Sequence, residues 1–315
     1  MLRIFKSLIF AYSLTAALAA GFQPASAKVD VASKSQLPVY VWHQVAHGRP
    51  QALVLAIHGL TMHGTTFETM AKHLAARNFL VAAPDLRGYG SYYKKNARCT
   101  AEYGASEKDL SEIAQRLRQA YPGVPLFVAG ESLGGTVALR LSAHHPELVD
   151  GMILSAPALR YRSHFGLRSA MQVAMLVTNP TRRLDTSKYV QYFSNDETIR
   201  EEELADPLRR TRMGLGELIS SCRFMSKTAA CLDEVPPDMP VLIMQGDQDA
   251  MVKREAVQLL EKKLKTPKRS VCWLGGKGHI LLETSHVDQQ TLNTVTTWLQ
   301  QNCHMRTGTA VVAKL

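Results

Sequence analysis

The chain has 315 residues, 46% of them hydrophobic, enough for one large core or two small ones. Its formal charge is +10, but 27 acidic residues are spread among 37 basic ones, too diffuse a balance to argue for nucleic acid. No zinc-finger, RNP or helix-turn-helix pattern is present. None of the five cysteines (Cys99, Cys222, Cys231, Cys272, Cys303) sits in a C-x-x-C pair, which disfavours a zinc site.

The N-terminus has the pattern of a processing signal. Arg3 and Lys6 form a positive start, residues 8–20 are apolar, and Ala25-Ser26-Ala27 supplies small residues for cleavage before Lys28. The apolar run is short for a bilayer-spanning helix of roughly 20 residues. A cleavable signal peptide over 1–27 is expected, with export to a periplasm or beyond; an uncleaved anchor is the alternative. An oxidising compartment permits disulfides. Cys222 and Cys231 are near enough in sequence to bridge a short loop, but pairing is not legible, and the odd count leaves one thiol unpaired.

Short β-like runs then alternate with helical segments. Residues 39–45 alternate as an edge strand does. Ala52-Leu53-Val54-Leu55-Ala56-Ile57 is continuously apolar, as expected for a strand covered on both faces. A helix is predicted over 67–77, and Phe79-Leu80-Val81-Ala82-Ala83 is the next strand, stopped by Pro84. Residues 107–121 form an amphipathic helix with Leu110, Ile113, Ala114 and Leu117 on one face. Strands at 126–129 and 151–155 follow. After a long gap, Val241-Leu242-Ile243-Met244 and Ser270-Val271-Cys272-Trp273-Leu274 resume the buried-strand pattern, and a helix over 289–299 closes the series. Strands separated by helices predict an α/β protein with a mostly parallel, doubly wound sheet.

The gap from Ala158 to Pro236 is helical in pattern, rich in Arg and Met, and holds no convincing buried strand. Leu167, Ala170, Met171, Ala174 and Met175 share a helical face, a stripe that is core as readily as lining. An insertion after the strand ending near Ser155 emerges at the carboxyl ends of the strands. It is therefore expected to form a helical cap, with Pro236-Pro237 and Pro240 marking the return.

Beneath that cap lies Gly130-Glu131-Ser132-Leu133-Gly134, a G-x-S-x-G between an apolar strand and a helical segment. This setting places a serine hydroxyl at the tip of a strained turn, with glycines where Cβ atoms would clash. Ser132 needs a base, and the base needs an orienting carboxylate. In the chain order Ser…Asp…His, Gln245-Gly246-Asp247-Gln248-Asp249 follows one later strand and Gly275-Gly276-Lys277-Gly278-His279 the next. His279 is the candidate base, with Gly278 expected to allow a tight turn before it. His286, placed in a helix, and His144 and His145, at the end of the helix after Ser132, are the other histidines weighed. Asp249 and Asp247 both fit the acid's place. The tetrahedral intermediate also needs amide donors, and Leu133 and Leu60, in His58-Gly59-Leu60-Thr61, are the candidates.

These segments resemble the α/β hydrolases, and within them the branch of monoacylglycerol lipases and lysophospholipases. The resemblance rests on His58-Gly59, Pro84-Asp85-Leu86-Arg87-Gly88-Tyr89-Gly90 and Gly130-Glu131-Ser132-Leu133-Gly134-Gly135. It continues through Leu154-Ser155-Ala156-Pro157-Ala158, Ala205-Asp206-Pro207-Leu208, Gly246-Asp247-Gln248-Asp249 and Gly278-His279. It implies an α/β-hydrolase fold with a helical cap inserted after the sixth strand. It also implies Asp249 rather than Asp247 as the acid, catalysis by Ser132, Asp249 and His279, an oxyanion hole from Leu60 and Leu133, and a structural role for Asp85 and Arg87. With the leader read from the N-terminal pattern, a departure from members of this branch that are commonly cytosolic or membrane-associated, the expected organisation is a signal peptide (1–27), core (28–157), cap (158–236), core (237–303) and tail (304–315).

The expected function is hydrolysis of a carboxylic ester of an acyl chain, monoacylglycerol- or lysophospholipid-like, with no metal or organic cofactor. An aminopeptidase or acyltransferase on the same residues is the alternative, and a non-catalytic binding protein the third. The expected partner is a small-molecule ester, not nucleic acid. The basic stretch 160–183 is taken as a solvated cationic face, with transient contact to anionic head groups at a membrane surface as its second use.

Overall fold

The computed structural model describes residues 37–44, 48–95, 100–160 and 183–303. The leader, the 167–175 stripe, most of the basic stretch, Cys99 and the tail lie outside the described residues.

Seven strands form one sheet: β1 (Val39–Trp42), β2 (Ala52–Ile57), β3 (Phe79–Pro84), β4 (Leu126–Glu131), β5 (Gly151–Ser155), β8 (Val241–Gly246) and β9 (Arg269–Leu274). Their order is β1-β3-β2-β4-β5-β8-β9. Only β1 runs antiparallel to its neighbour. The five inner strands are buried along their whole length, which is why their sequences are continuously apolar rather than alternating. β9 departs from the expected buried pattern because it is an edge strand. Trp273 is 38% exposed there, covered by the Arg254 guanidinium 4.8 Å above its ring.

Helices cover both faces. Leu110, Ile113 and Leu117 of α3 (Tyr103–Ala120) and Val137 of α4 (Leu133–His144) pack into one core with Ala256 and Leu260 of α7 (Glu255–Lys263). On the other face, Met70 and Leu74 of α1 (Glu68–Ala75) pack with Val295 and Trp298 of α8 (Gln289–Asn302). A short helix, α2 (Gly90–Lys95), follows β3.

The cap leaves the sheet after Ser155, where the sequence places it. Counted among the described residues, that strand is the fifth. The cap's described part holds α5 (Glu197–Ala205) and α6 (Leu215–Thr228). It also holds a two-stranded ribbon, β6 (Arg183–Asp185) with β7 (Arg212–Gly214). These three-residue strands are too short and too exposed to give a buried-strand signal. Among the described residues, no helix is long and apolar enough to cross a membrane.

The order of the strands positions the site. β2 lies between β3 and β4, so chain direction across the sheet reverses at β2, and Ile57 stands beside Gly130. The loops leaving β2 and β4 therefore begin side by side at the carboxyl edge, where ligands bind in open parallel sheets.

Candidate active site

Ser132 sits between β4 and α4 with φ 55° and ψ −117°, a conformation that costs a non-glycine residue about 1–3 kcal/mol. Packing over-determines it. A Cβ on Gly130 would lie 2.2 Å from the Gly134 carbonyl oxygen, and one on Gly134 only 1.9 Å from that of Ile57. The Ser132 N–H donates to the Ser155 carbonyl at 2.9 Å, and the Ser132 carbonyl accepts from Ala158 at 3.0 Å. The strand-turn-helix spacing is thus imposed by helix α4 crossing directly over β2 and β4.

The loops after β8 and β9 bring acid and base together. A Cβ on Gly246 would meet the Gly278 carbonyl oxygen at 2.1 Å, so only glycine allows these two backbones to lie so close. Across that contact, His279 Nδ1 stands 3.0 Å from Asp249 Oδ2, with both side chains buried. The carboxylate makes Nδ1 the donor and leaves Nε2 as the lone-pair nitrogen. Asp249 Oδ1 accepts from the amides of Met251 (2.7 Å) and Val252 (2.9 Å), which fixes its plane. Asp247 instead accepts from the Gly276 amide at 2.7 Å and serves its own turn. Geometry therefore separates the two aspartates that the residues alone left open.

Burial opposes charge on His279, but the Asp249 carboxylate, its hydrogen bond and the buried Glu131 outweigh it and raise the imidazole pKa above 6.5. Burial likewise pushes Asp249 up, and the His279 charge and the hydrogen bonds outweigh it, so its carboxyl is held below the ordinary value. The two directions agree.

Two expectations about this loop change. Gly276, with φ 71°, makes the turn, whereas Gly278 is needed because a Cβ there would press on the cap at Ser194 Cα, 2.9 Å away. The cap in turn grips the base: the amides of His279 and Ile280 both donate to the Phe193 carbonyl at 2.9 Å. His286 lies in a turn before α8, not in a helix. His144 contacts Glu107.

Ser132, His279, Leu60 and Leu133 line one cavity of about 230 Å³ whose walls are predominantly apolar, with Leu218 and Met225 contributed by the cap. Asp249 stands behind His279. Leu133 is the first residue of α4, so its N–H has no carbonyl within the helix to bond. Leu60 lies in a turn closed by the Met62 amide on the Gly59 carbonyl. That turn is held from below by His58. Its Nδ1–H donates to the Gly59 carbonyl and its Nε2 accepts from the Leu86 amide, so the ring is neutral; burial pushes its pKa down to about 3. Asp85 and Arg87 act structurally. Asp85 accepts from the Gly64 and Ser91 amides, and Arg87 pairs with Asp109.

Sequence reasoning did not assign the buried carboxylates under this site. Glu131, the second residue of the pentapeptide, accepts from the amides of Leu281, Leu282 and Glu283 and from the Ser155 hydroxyl. It thereby fastens the segment after His279 to the elbow. Glu283 accepts from the Gly59 amide at 3.0 Å on both oxygens and from Thr66 at 3.1 Å. Burial raises both pKa values, against their hydrogen bonds. Glu131 has four donors and Glu283 two, so Glu283 is raised the further of the two. A charged residue inside an apolar strand-turn sequence was the available signal for Glu131. Cys222, Cys231, Cys272 and Cys303 are free thiols, so the Cys222–Cys231 bridge is absent.

A mostly parallel sheet with the Ser132 elbow after β4 and the Asp249 and His279 loops after β8 and β9, all at its carboxyl edge under a cap, defines an α/β hydrolase. The chain belongs to the family described as serine aminopeptidase, S33 (Hydrolase_4), whose model matches residues 48–285. It is 25% identical to the human monoglyceride lipase over 274 residues, covering 84% of this chain and 86% of that protein. Among solved structures, it resembles a soluble variant of the Saccharomyces cerevisiae monoglyceride lipase in complex with a substrate analog (TM-score 0.71, 18% identity, 86% of this chain and 96% of that one). It also resembles the monoacylglycerol lipase of Paleococcus ferrophilus (TM-score 0.68, 20% identity, 84% and 99%).

Proposed function

We propose that this chain is a carboxylic ester hydrolase acting on the ester of an acyl chain, monoacylglycerol- or lysophospholipid-like, through Ser132, His279 and Asp249. The observation that carries this is the Asp249–His279 contact standing behind an apolar cavity that Ser132 and His279 both line. The apolar walls suit an acyl chain better than a peptide. The monoglyceride lipases among its relatives support the same substrate class.

In this mechanism His279 Nε2 takes the proton of Ser132 Oγ as that oxygen attacks the ester carbonyl. The amides of Leu60 and Leu133 receive the oxyanion, and preorganised donors of this kind are each worth roughly 2.7–4 kcal/mol of barrier. Asp249 holds the ring in the productive tautomer and stabilises its charged form. Protonated His279 then releases the alcohol, and a water that it activates clears the acyl-enzyme.

A panel of p-nitrophenyl esters of increasing acyl length, set beside aminoacyl anilides, tests the reaction class. Ester turnover that Ser132→Ala abolishes is expected; faster turnover of the anilides would assign peptidase chemistry instead. Export through residues 1–27 belongs to the same proposal. N-terminal sequencing of the protein recovered outside the cytoplasm should begin at Lys28, and recovery only from the cytoplasm with Met1 intact would reject it. Contact of the basic stretch 160–183 with a membrane would appear as salt-sensitive co-sedimentation with anionic, but not neutral, vesicles.

A further inference from the structure

The cap carries two adjacent arginines with opposite circumstances. Arg210 is fully buried and tied at both terminal nitrogens, though not at Nε: Nη1 donates to the Gly88 carbonyl at 2.8 Å, Nη2 to Glu217 at 2.5 Å, and its guanidinium stacks 4.4 Å over Tyr93. Arg209 has a side chain with no exposure either, and it borders the cavity that Ser132 and His279 line. Yet none of its three guanidinium nitrogens makes a hydrogen bond among the described residues. The nearest acid, Glu203, stands 3.5 Å from Nε, too far and too poorly aimed to bond, and its own Oε2 is also unserved. Burial pushes the Glu203 carboxyl up to about 8 against the pull of the Arg209 charge, which makes it a poor counter-ion for the guanidinium. Leaving a buried polar group without a partner is costly, and more so when it is charged. Such a cost at a cavity wall is met when a ligand supplies the acceptor.

The position fixes which part of a substrate that would be. The Phe193 ring packs against both groups, its centroid 6.4 Å from the His279 ring and 5.4 Å from Arg209 Cζ. The base must reach the leaving oxygen to protonate it, so we assign Arg209, which shares Phe193 with the base, to the alcohol side of the scissile bond. The acyl chain then points to the apolar side walled by Leu218 and Met225 of α6. The buried Thr61 hydroxyl, beside Leu60 and also lining the cavity, makes no hydrogen bond among the described residues and offers a second donor.

We propose that Arg209 is a specificity-determining residue that receives an anionic group, a phosphate or a carboxylate, on the alcohol portion of the ester. A guanidinium presents paired donors that match either oxyanion. This rests on the ester-hydrolase reading above and narrows its substrate class: an acyl ester of an acidic alcohol over that of a neutral one.

The test compares kcat/KM of the full chain for three esters of one acyl length: 1-acylglycerol, 1-acylglycerol 3-phosphate and 3-acylglycerate. A preference of at least about tenfold for one or both anionic esters is expected, about 1.4 kcal/mol. The phosphate and carboxylate arms show which anion fits. In Arg209→Met the anionic-to-neutral ratio should fall to near one, and in Arg209→Lys it should be partly kept. A purely structural role would lower all three rates together and leave the ratio unchanged, and that result, or a wild-type ratio near one, overturns the proposal. Protection of Ser132 from a fluorophosphonate probe supplies an independent reading. Glycerol 3-phosphate or glycerate should protect the wild type better than glycerol does, and this difference should vanish in Arg209→Met. If none of the three esters is cleaved, the ester-hydrolase reading fails. The protection measurement then still decides for or against an anion at Arg209.

Discussion

Replacing Glu131 by Gln tests whether the elbow and the base loop are held as one unit. The Glu131 side chain is buried and accepts at both oxygens: Oε1 from Leu281 (3.0 Å) and Ser155 (2.6 Å), Oε2 from Leu282 (3.1 Å) and Glu283 (3.0 Å). A glutamine keeps one carbonyl oxygen, best placed at Oε1. Its amide then faces the Leu282 and Glu283 N–H groups donor to donor. One to two hydrogen bonds to a charged group are lost, at roughly 1.5–3 kcal/mol each before relaxation, so a net loss of about 2–4 kcal/mol is expected. At roughly 2–4 °C per kcal/mol for a domain of this size, the thermal midpoint should fall by about 5–15 °C. Urea unfolding and calorimetry measure the stability. The pH profile of kcat/KM measures the second consequence: Glu131 is one of the charges that raise the His279 pKa, so the acid limb should move to lower pH in Glu131→Gln. A loss under about 0.5 kcal/mol, or an acid limb that moves upward, would refute the role given to Glu131.

Other perturbations separate the remaining roles. Asp249→Asn should lower kcat by roughly a thousand- to ten-thousand-fold through the wrong imidazole tautomer, while Asp247→Asn should cost under about tenfold; comparable losses in steady-state assays would undo the assignment. Wild-type kcat/KM should rise with pH through a midpoint above 6.5, because the base works when neutral and its pKa is raised; a midpoint below 6.5 contradicts the environment described. In stability terms the raised His279 contributes fully below its unfolded value near 6.5, and the contribution is lost as pH rises through the folded value. The lowered Asp249 contributes above its unfolded value near 3.9 and is lost as pH falls through the folded one. The Asp249→Asn destabilisation measured in urea should therefore be larger at pH 6 than at pH 9 or pH 3. Gly134→Ala should abolish the elbow, since its methyl would stand 1.9 Å from the Ile57 carbonyl oxygen; soluble, fluorophosphonate-reactive protein in normal yield would contradict this. Glu203→Gln should gain on the wild type as pH rises from about 4.5 to about 8, the window in which the unfolded carboxyl has ionised while the folded one keeps its proton, and the gain should level off above that; a difference that first opens above pH 8 contradicts the burial described.

How much of this was legible in the sequence follows from where each determinant acts. The inner strands could be read because two-sided burial demands continuous apolar runs, and the elbow because its glycines answer backbone contacts that no other residue tolerates. β9 misled because its apolar letters are shared by edge and inner strands; only its neighbours decide. Asp249 and Asp247 are chemically alike two positions apart, and it is the close approach of Gly246 to Gly278 that turns one toward His279 and leaves the other in its turn. The cap was legible only as an insertion, since three-residue strands and short helices carry little periodic signal.

Least legible were Glu131, Glu283, Glu203 and Arg209, and for one physical reason. Charged residues are normally exposed, so sequence logic assigns them to the surface unless a partner is in view. Here the partners of Glu131 and Glu283 are backbone amides on distant loops, and the Arg209 guanidinium makes no hydrogen bond among the described residues. Glu131 and Glu283 are buried because they hold two otherwise separate loops, the one bearing His279 and the one bearing Leu60, in fixed relation to Ser132. Arg209 has no such duty, and its neighbour Arg210 already ties the cap down through Gly88 and Glu217. A buried cation that packs on Phe193 at the cavity wall, with none of its guanidinium nitrogens hydrogen-bonded among the described residues, is best accounted for by what the cavity binds.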